Sequence, residues 1–290
     1  MRILLLFILF SSSTIFASAE LVAAGKVSSI QGEHSPTFDV LSNELVFMRR
    51  TPGKFDYTLY TSKLTGDSWS KPKVMPFSGN YRDGGAYFSP NGQSIVFDSR
   101  RPTEKLKQGS INLWQSNRLS ASQWSEPKLL EKASANTATE SVAGSDEFGP
   151  LLTSSGDLWF YSFRQPLREG AYYRQMSNGQ LVRDTQLPDP SANTFIAYLS
   201  LSKDMNTAVI EGRSQKSRDT DLYYACRVDG EWGPAIPLSK INTSAGEGTP
   251  FLTADSKWLW FASDRKTDNA NSVGANIYRI STTHLPIPCD

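Results

Sequence analysis

Hydrophobic residues in this chain come as paired short runs separated by a polar turn, and the pair recurs five times. The copies are TFDVLSNELVFMRR ending at Arg50, YFSPNGQSIVFDSR ending at Arg100, LLTSSGDLWFYSFR ending at Arg164, YLSLSKDMNTAVIEGR ending at Arg213, and FLTADSKWLWFASDR from Phe251 to Arg265. Each turn carries Asn, Asp, Gly or Ser, and each second run closes on an arginine, so every copy predicts a β-hairpin. With Phe47, Phe97, Phe160, Ile210 and Phe261 taken as equivalent, the intervals are 50, 63, 50 and 51 residues. Repeats of about 40 to 50 residues that each supply several strands predict the blades of a β-propeller, because one blade alone leaves both faces bare.

After the hairpin the order continues with a third strand (YTLYTSKL, INLWQSNRL, DLYYACRV), a turn bearing Trp69, Trp124 or Trp232, and a fourth outer strand. The last repeat stops after its third strand, NIYRIST, whereas the segment ELVAAGKVSS at Glu20–Ser29 has no hairpin of its own and resembles the stretches that follow the tryptophans. The fold class expected is therefore all-β: a five-bladed β-propeller with four strands per blade, closed by the N-terminal strand completing the last blade. Closure removes the open sheet edges. The extra residues of the second interval fall around EKASANTATESVAGSDEFG, too few for a sixth blade, and are read as a loop.

The segments SPNGQSIVFDSRR and TADSKWLWFASDRK, each followed by a strand of the INLW or NIYR type, resemble the WD-like propeller repeats of the TolB-type periplasmic family. A W-S-x-P turn adds to the likeness, which runs through essentially the whole chain after the leader. It implies a propeller fold and a cell-envelope setting. It does not imply a reaction, because such repeats serve in binding proteins, peptidase-associated domains and envelope proteins alike.

Residues 1–19 read as a cleavable secretory signal: Arg2, the apolar run ILLLFILF, polar SSST and the small-residue end Ala17-Ser18-Ala19. Residues 20–290 then form a single propeller domain, expected to be periplasmic or secreted and monomeric. No other apolar stretch approaches the roughly 20 residues a spanning helix needs, so membrane insertion is not expected. With 39% hydrophobic residues there is enough apolar side chain for a sizeable core, and the formal net charge of +1 offers no footprint for nucleic acid. The two cysteines, Cys226 and Cys289, either form one disulfide in an oxidising compartment or remain as separately buried thiols.

Candidate chemistry gathers at one mouth of the ring. The residues three places before Pro36, Ala86, Pro150, Tyr198 and Pro250 are Glu33, Asp83, Glu147, Phe195 and Glu247, so four blades aim a carboxylate where Arg50, Arg100, Arg164, Arg213 and Arg265 also end. Repetition favours structural ion pairs between the carboxylates and Arg50, Arg100, Arg164 and Arg265. Blade four departs from the pattern with Phe195, which marks Arg213, Phe195 and Tyr198 as a candidate ligand-binding side, joined by Glu247 and by His34 beside Glu33. An alternative is a carbohydrate-active enzyme, a glycoside hydrolase or lyase, using Glu33, Asp83 and Glu147. A binding or scaffolding module for an envelope protein or glycan needs fewer assumptions and is favoured over an enzyme. His34 and His284 are the only histidines, which excludes a multi-histidine metal site, and no nucleotide loop or G-x-S-x-G elbow is present. Neither a cofactor nor a metal is expected; the polar loop with Asp264, Asp268, Asn269 and Asn271 matches no defined calcium-loop spacing.

Overall fold

The computed structural model describes residues 18–51, 56–103, 109–130, 146–163, 171–184, 186–188, 198–213, 219–266 and 274–289. Residues 1–17 of the expected signal segment, the stretch 131–145 expected as a loop, and Arg164, Phe195, Asp268, Asn269 and Asn271 lie outside them. Five antiparallel sheets stand in a ring as the blades of a propeller. Blade one runs Glu33–Asp39, Glu44–Arg50 and Tyr57–Thr65, and blade two Asp83–Phe88, Ser94–Ser99, Asn112–Asn117 and Lys128–Leu129. Blade three is Glu147–Leu152, Leu158–Ser162, Ala171–Gln175 and Leu181–Arg183; blade four is Leu199–Leu201, Thr207–Arg213 and Thr220–Val228. In blades one and four, short outer strands pair with the third strand. Blade five comprises Glu247–Leu252, Trp258–Ser263 and Asn276–Ser281, and its outer edge is taken by Glu20–Leu21, with Glu20 opposite Arg279 and Leu21 opposite Tyr278. The ring is thus closed by the N-terminal strand.

The repeat explains the packing. Phe47, Phe97, Phe160, Ile210 and Phe261 are each completely buried. Phe47, Phe160 and Phe261 stack on Tyr60, Tyr173 and Tyr278 directly across the strand pair, with ring centroids 6.1, 6.0 and 5.8 Å apart. Such cross-strand aromatic pairs stabilise a sheet beyond their area burial. The C-terminal tail folds back from blade five onto blade four, where Cys289 is joined to Cys226 by a disulfide and its amide donates to Thr207 Oγ1 at 2.7 Å. One of the two states left open by the sequence is therefore the one present.

Seen from the hairpin-turn side, the axis is filled. Tyr87 packs edge-on against Phe251 at 4.9 Å, its hydroxyl lies 3.1 Å from Ser200 Oγ, and Ser200 Oγ accepts from the amide of Leu252. Together with Phe38, Phe88 and Leu201 these groups leave about 30 Å³, room for roughly one water. Off the axis on this face, a hollow of about 420 Å³ lies between the turns of blades two and three, lined by Ser89, Asn91, Asn117, Thr153 and Lys203; a second hollow, with titratable walls, opens at the other face.

Candidate binding site at the carboxylate face

In each of blades one, two, three and five the innermost strand breaks its pleat two residues after the carboxylate. Ser35, Gly85, Gly149 and Thr249 have φ of 46, 49, 54 and 49°, and the ladder shifts register at the same place. A bulge of this kind re-aims the strand ahead of it. Ser35 and Thr249 hold a left-handed conformation that disfavours side chains, and Thr249 Oγ1 accepts from the Ser35 amide at 3.0 Å. The bulge sets the direction of the carboxylates.

Glu33, Asp83, Glu147 and Glu247 are all wholly buried, and Glu33, Asp83 and Glu247 turn toward the segment that arrives from the preceding blade. Glu247 accepts from Thr243 N and Thr243 Oγ1 and from Ser263 Oγ, each at 2.8 Å, and from Arg265 Nη2 at 3.1 Å. Arg265 also donates to the carbonyl of Ile241. Glu33 repeats this with Ser29 and Arg49, whose guanidinium reaches the carbonyls of Lys26 and Val27. Asp83 does so with Ser78, Ser99 and Arg101, which also donates to the carbonyl of Phe77. Burial pushes the Asp83 carboxyl above its usual range, and Arg101 offsets only part of that. In blade three, Ser162 Oγ donates to Glu147 at 3.1 Å. In blades one, two and five the unit ties the incoming chain to the innermost strand, a latch built from charge-assisted hydrogen bonds.

The arginines of two latches differ from those expected. Glu33 pairs with Arg49 and not Arg50, and Asp83 with Arg101 and not Arg100. The reason is the period of two along a strand. Counting from the equivalent phenylalanine, latch residues stand at even offsets: Ser99 and Arg101 after Phe97, Ser263 and Arg265 after Phe261, Arg49 after Phe47. Arg50 and Arg213 stand three residues on, facing the other side of their sheets. Arg213 is exposed at its strand end, and its carbonyl accepts from the Tyr223 hydroxyl at 2.8 Å. Tyr198 is not beside it. Its phenol is buried near Asp98, Arg82 and Glu211, and burial, reinforced by Asp98, pushes it well above the usual phenol range.

The odd-offset positions line the mouth. Opposed pairs on the first two strands are His34 with Met48, Gly84 with Asp98, Phe148 with Tyr161, and Gly248 with Ala262. Blade three fills its space with Phe148, Tyr161 and Phe163 in edge-to-face contact. Blade two fills its own with a buried ion pair between Arg82 and Asp98. Burial opposes the charge of Arg82, but Asp98 more than offsets this and holds the guanidinium above its usual range. Blade five offers only Gly246, Gly248 and Ala262, and a hollow of about 400 Å³ opens there. Its walls are His34, Arg50 and Tyr57 from blade one and Glu211, Asp219 and Thr220 from blade four, with Asp264 at the rim.

Glu211 and His34 are the chemically distinctive groups of this hollow. Glu211 Oε2 accepts from the amide of Thr249 at 2.7 Å, and among the described residues its other oxygen has no hydrogen-bond partner. Burial raises its carboxyl to about 7, with the Thr249 amide as the only opposing influence. His34 meets Tyr57 edge-on at 5.9 Å and 85°. Burial lowers its imidazole to about 4; Asp264 works against that shift and Arg50 with it. At neutral pH His34 is therefore uncharged, with one ring nitrogen free to accept. Among the described residues no group of three or more potential metal ligands occurs.

Of the residues singled out in the sequence, His34 lies in this hollow, Tyr198 lies deeper near its Glu211 wall, and Glu247 is withdrawn into a latch. Glu211 was not picked out as a binding residue, because it follows no repeat rule visible in one copy. Its signal was the alignment with Asp98, one residue after the equivalent Ile210 and Phe97.

No family model matches the chain, and no curated protein matches it. Among solved structures, a thermostable family-43 glycoside hydrolase is 11% identical and covers 88% of this chain and 90% of its own, with a TM-score of 0.53. What is shared is the fold. A candidate TolB from Agrobacterium tumefaciens (13% identity, 88% of this chain and 78% of that one) and the gluconolactonase XC5397 from Xanthomonas campestris (14%, 90% and 83%) both align with a TM-score of 0.49. These are propellers with diverse activities, and at such identities they assign none to this chain.

Proposed function

We propose that this protein is an exported, TolB-like propeller that works as a binding or scaffolding module of the cell envelope, taking a protein or glycan ligand at the carboxylate-face mouth. The observation that carries the reading is the division of labour between the two faces of the strands. Even-offset carboxylates are consumed in latches, while odd-offset positions of blades four, five and one open a hollow with hydrogen-bonding walls and one aromatic ring. Pockets of this size with a few convergent polar groups are where ligands bind. The leader-like N-terminus and the Cys226–Cys289 disulfide support an oxidising, exported setting. No helix among the described residues is long and apolar enough to cross a membrane.

Latching also bears on the hydrolase alternative. Glycosidic cleavage requires a pair of carboxyl groups open to substrate, whereas Glu33 and Asp83 are each bonded to an arginine and to a hydroxyl. That supports binding over catalysis by those residues. Immobilised protein is tested against an envelope extract and a glycan array, wild type beside Tyr57→Ala. Capture that is lost in the variant is the expected result. Capture unaffected by Tyr57→Ala, but lost on altering Lys203 at the opposite face, would overturn the assignment of the mouth.

A further inference from the structure

The propeller contains its own template for what belongs beside Glu211. Asp98 and Glu211 occupy the same repeat position, one residue after Phe97 and Ile210. Each accepts from the amide of the left-handed bulge residue in the next blade: Gly149 donates to Asp98 Oδ2 at 3.3 Å and Thr249 to Glu211 Oε2 at 2.7 Å. At Asp98 the remaining oxygen is held by the guanidinium of Arg82, the residue just before the latch carboxylate Asp83. The corresponding residue of blade four is Thr194, which carries no charge and lies outside the described residues. The flanking blade-five residue is Gly246. Where blade two has an arginine, the sequence has a threonine in blade four and a glycine in blade five.

Two features keep that space open. A Cβ on Gly248 would lie 2.8 Å from Glu211 Oε2, so glycine is required for the carboxylate to pack as it does. On Gly246 a Cβ would meet Asp264 at 3.4 Å and Asp219 at 3.5 Å, which places both carboxylates around the same opening. Facing Glu211 across the hollow are His34, Tyr57 and Arg50 on blade one, with Tyr198 behind it and Asp219 and Asp264 at the sides. Arg50 acts on His34, but no cation among the described residues contributes to the state of Glu211. A partly buried carboxylate whose described neighbours supply no counter-charge is an incomplete ion pair.

We infer that the hollow between blades four, five and one binds a basic organic group, an arginine-type guanidinium or a related ammonium, which donates to Glu211 and to the imidazole of His34 as Arg82 donates to Asp98. This deepens the binding reading and rests on it, by naming the chemistry the mouth selects. A partner peptide with a basic side chain is the simplest carrier, with Tyr57 as the aromatic wall beside the cation.

The test is isothermal titration of the purified protein with N-acetyl-arginine amide, N-acetyl-lysine amide and the neutral near-isostere N-acetyl-citrulline amide. The arginine probe is expected to bind at least about tenfold more tightly than the citrulline probe, and Glu211→Gln to abolish that preference. Because binding needs the ionised carboxylate, arginine affinity is expected to fall about tenfold from pH 8 to pH 6, with proton uptake by Glu211 as the cause. The same titration in buffers of different ionisation heat reads the proton released on binding at pH 6. His34→Ala serves as a second variant with weakened binding. Comparable binding of the lysine probe supports a cation site. Equal binding of arginine and citrulline probes, retention of the preference in Glu211→Gln, or no cationic probe binding up to about 10 mM would each overturn it. If no cation binds while extract or array capture is still lost in Tyr57→Ala, this inference falls and the binding module stands; if capture also fails, both fall.

Discussion

Removing a latch carboxylate is expected to loosen the ring, and Glu247→Ala is the sharpest case. Its carboxylate is wholly buried and collects four hydrogen bonds, from Thr243 twice, Ser263 and Arg265. Truncation leaves a largely buried guanidinium without its counter-charge, which typically costs about 3–5 kcal/mol. Arg265 keeps bonds to Ile241 O at 2.8 Å and Ser263 Oγ at 3.0 Å, so the lower end of that range, about 3 kcal/mol, is the appropriate figure. For a domain of this size that corresponds to a fall in Tm of roughly 6–12 °C. Thermal unfolding followed by circular dichroism measures it, with Arg265→Ala and the double variant closing a cycle whose coupling is expected to be about 1–3 kcal/mol. Arg100→Ala, an exposed arginine at an odd offset, is the control and is expected to change stability by less than about 0.5 kcal/mol. A Tm fall below about 2 °C for Glu247→Ala, or strict additivity with Arg265→Ala, would refute the latch and return the carboxylate to the pool of groups available for chemistry.

Three further outcomes follow from the same structure. Cys226 and Cys289 close a loop with a sequence separation of 63, so Cys289→Ser is expected to lose about 4 kcal/mol in chemical denaturation. His34 has a folded-state value near 4, held down by burial, against 6.5 for an exposed imidazole. Its stabilising contribution is therefore complete above pH 6.5 and disappears as pH falls through 4; His34→Asn should flatten that acid limb by up to about 3 kcal/mol. Ser35 holds φ at 46°, and Ser35→Gly should relax it and raise stability by about 1 kcal/mol, read from the denaturation midpoint.

Much of the fold was legible because the repeat states it five times. The hairpin runs, the tryptophan turns and the incomplete last blade were enough to place the closure by Glu20 and Leu21, since an unpaired edge in blade five and an orphan strand at the start have one joint solution. The latches were legible in kind but not in partner. Arginines at the end of each copy look equivalent when aligned by their position as the last residue, yet Arg49 and Arg101 share the Glu33 and Asp83 face while Arg50 and Arg100 do not. The alternation of side chains along a strand decides this, and it could have been counted from Phe47 and Phe97. The hollow was less legible. It arises from what blade five lacks, Gly248 and Ala262 in place of Phe148 and Tyr161, and becomes a cavity only because the bulge at Thr249 turns its amide onto Glu211 from the neighbouring blade. That contact joins residues 38 positions apart. Nothing local to either residue announces it.

The account rests most heavily on Glu211 being a desolvated, partly buried carboxylate that no cation among the described residues neutralises. Its value of about 7 lies well above the 4.5 of an exposed glutamate, so its stabilising contribution is complete below pH 4.5 and is lost as pH rises through 7. The measurement is the unfolding free energy of wild type and Glu211→Gln across pH 5 to 8, by urea titration. A stability difference that shifts by about 2.5 kcal/mol in the variant's favour between pH 5 and pH 8 is predicted. An unchanged difference across the range would mean that Glu211 already has its cation and that the mouth has no place for another.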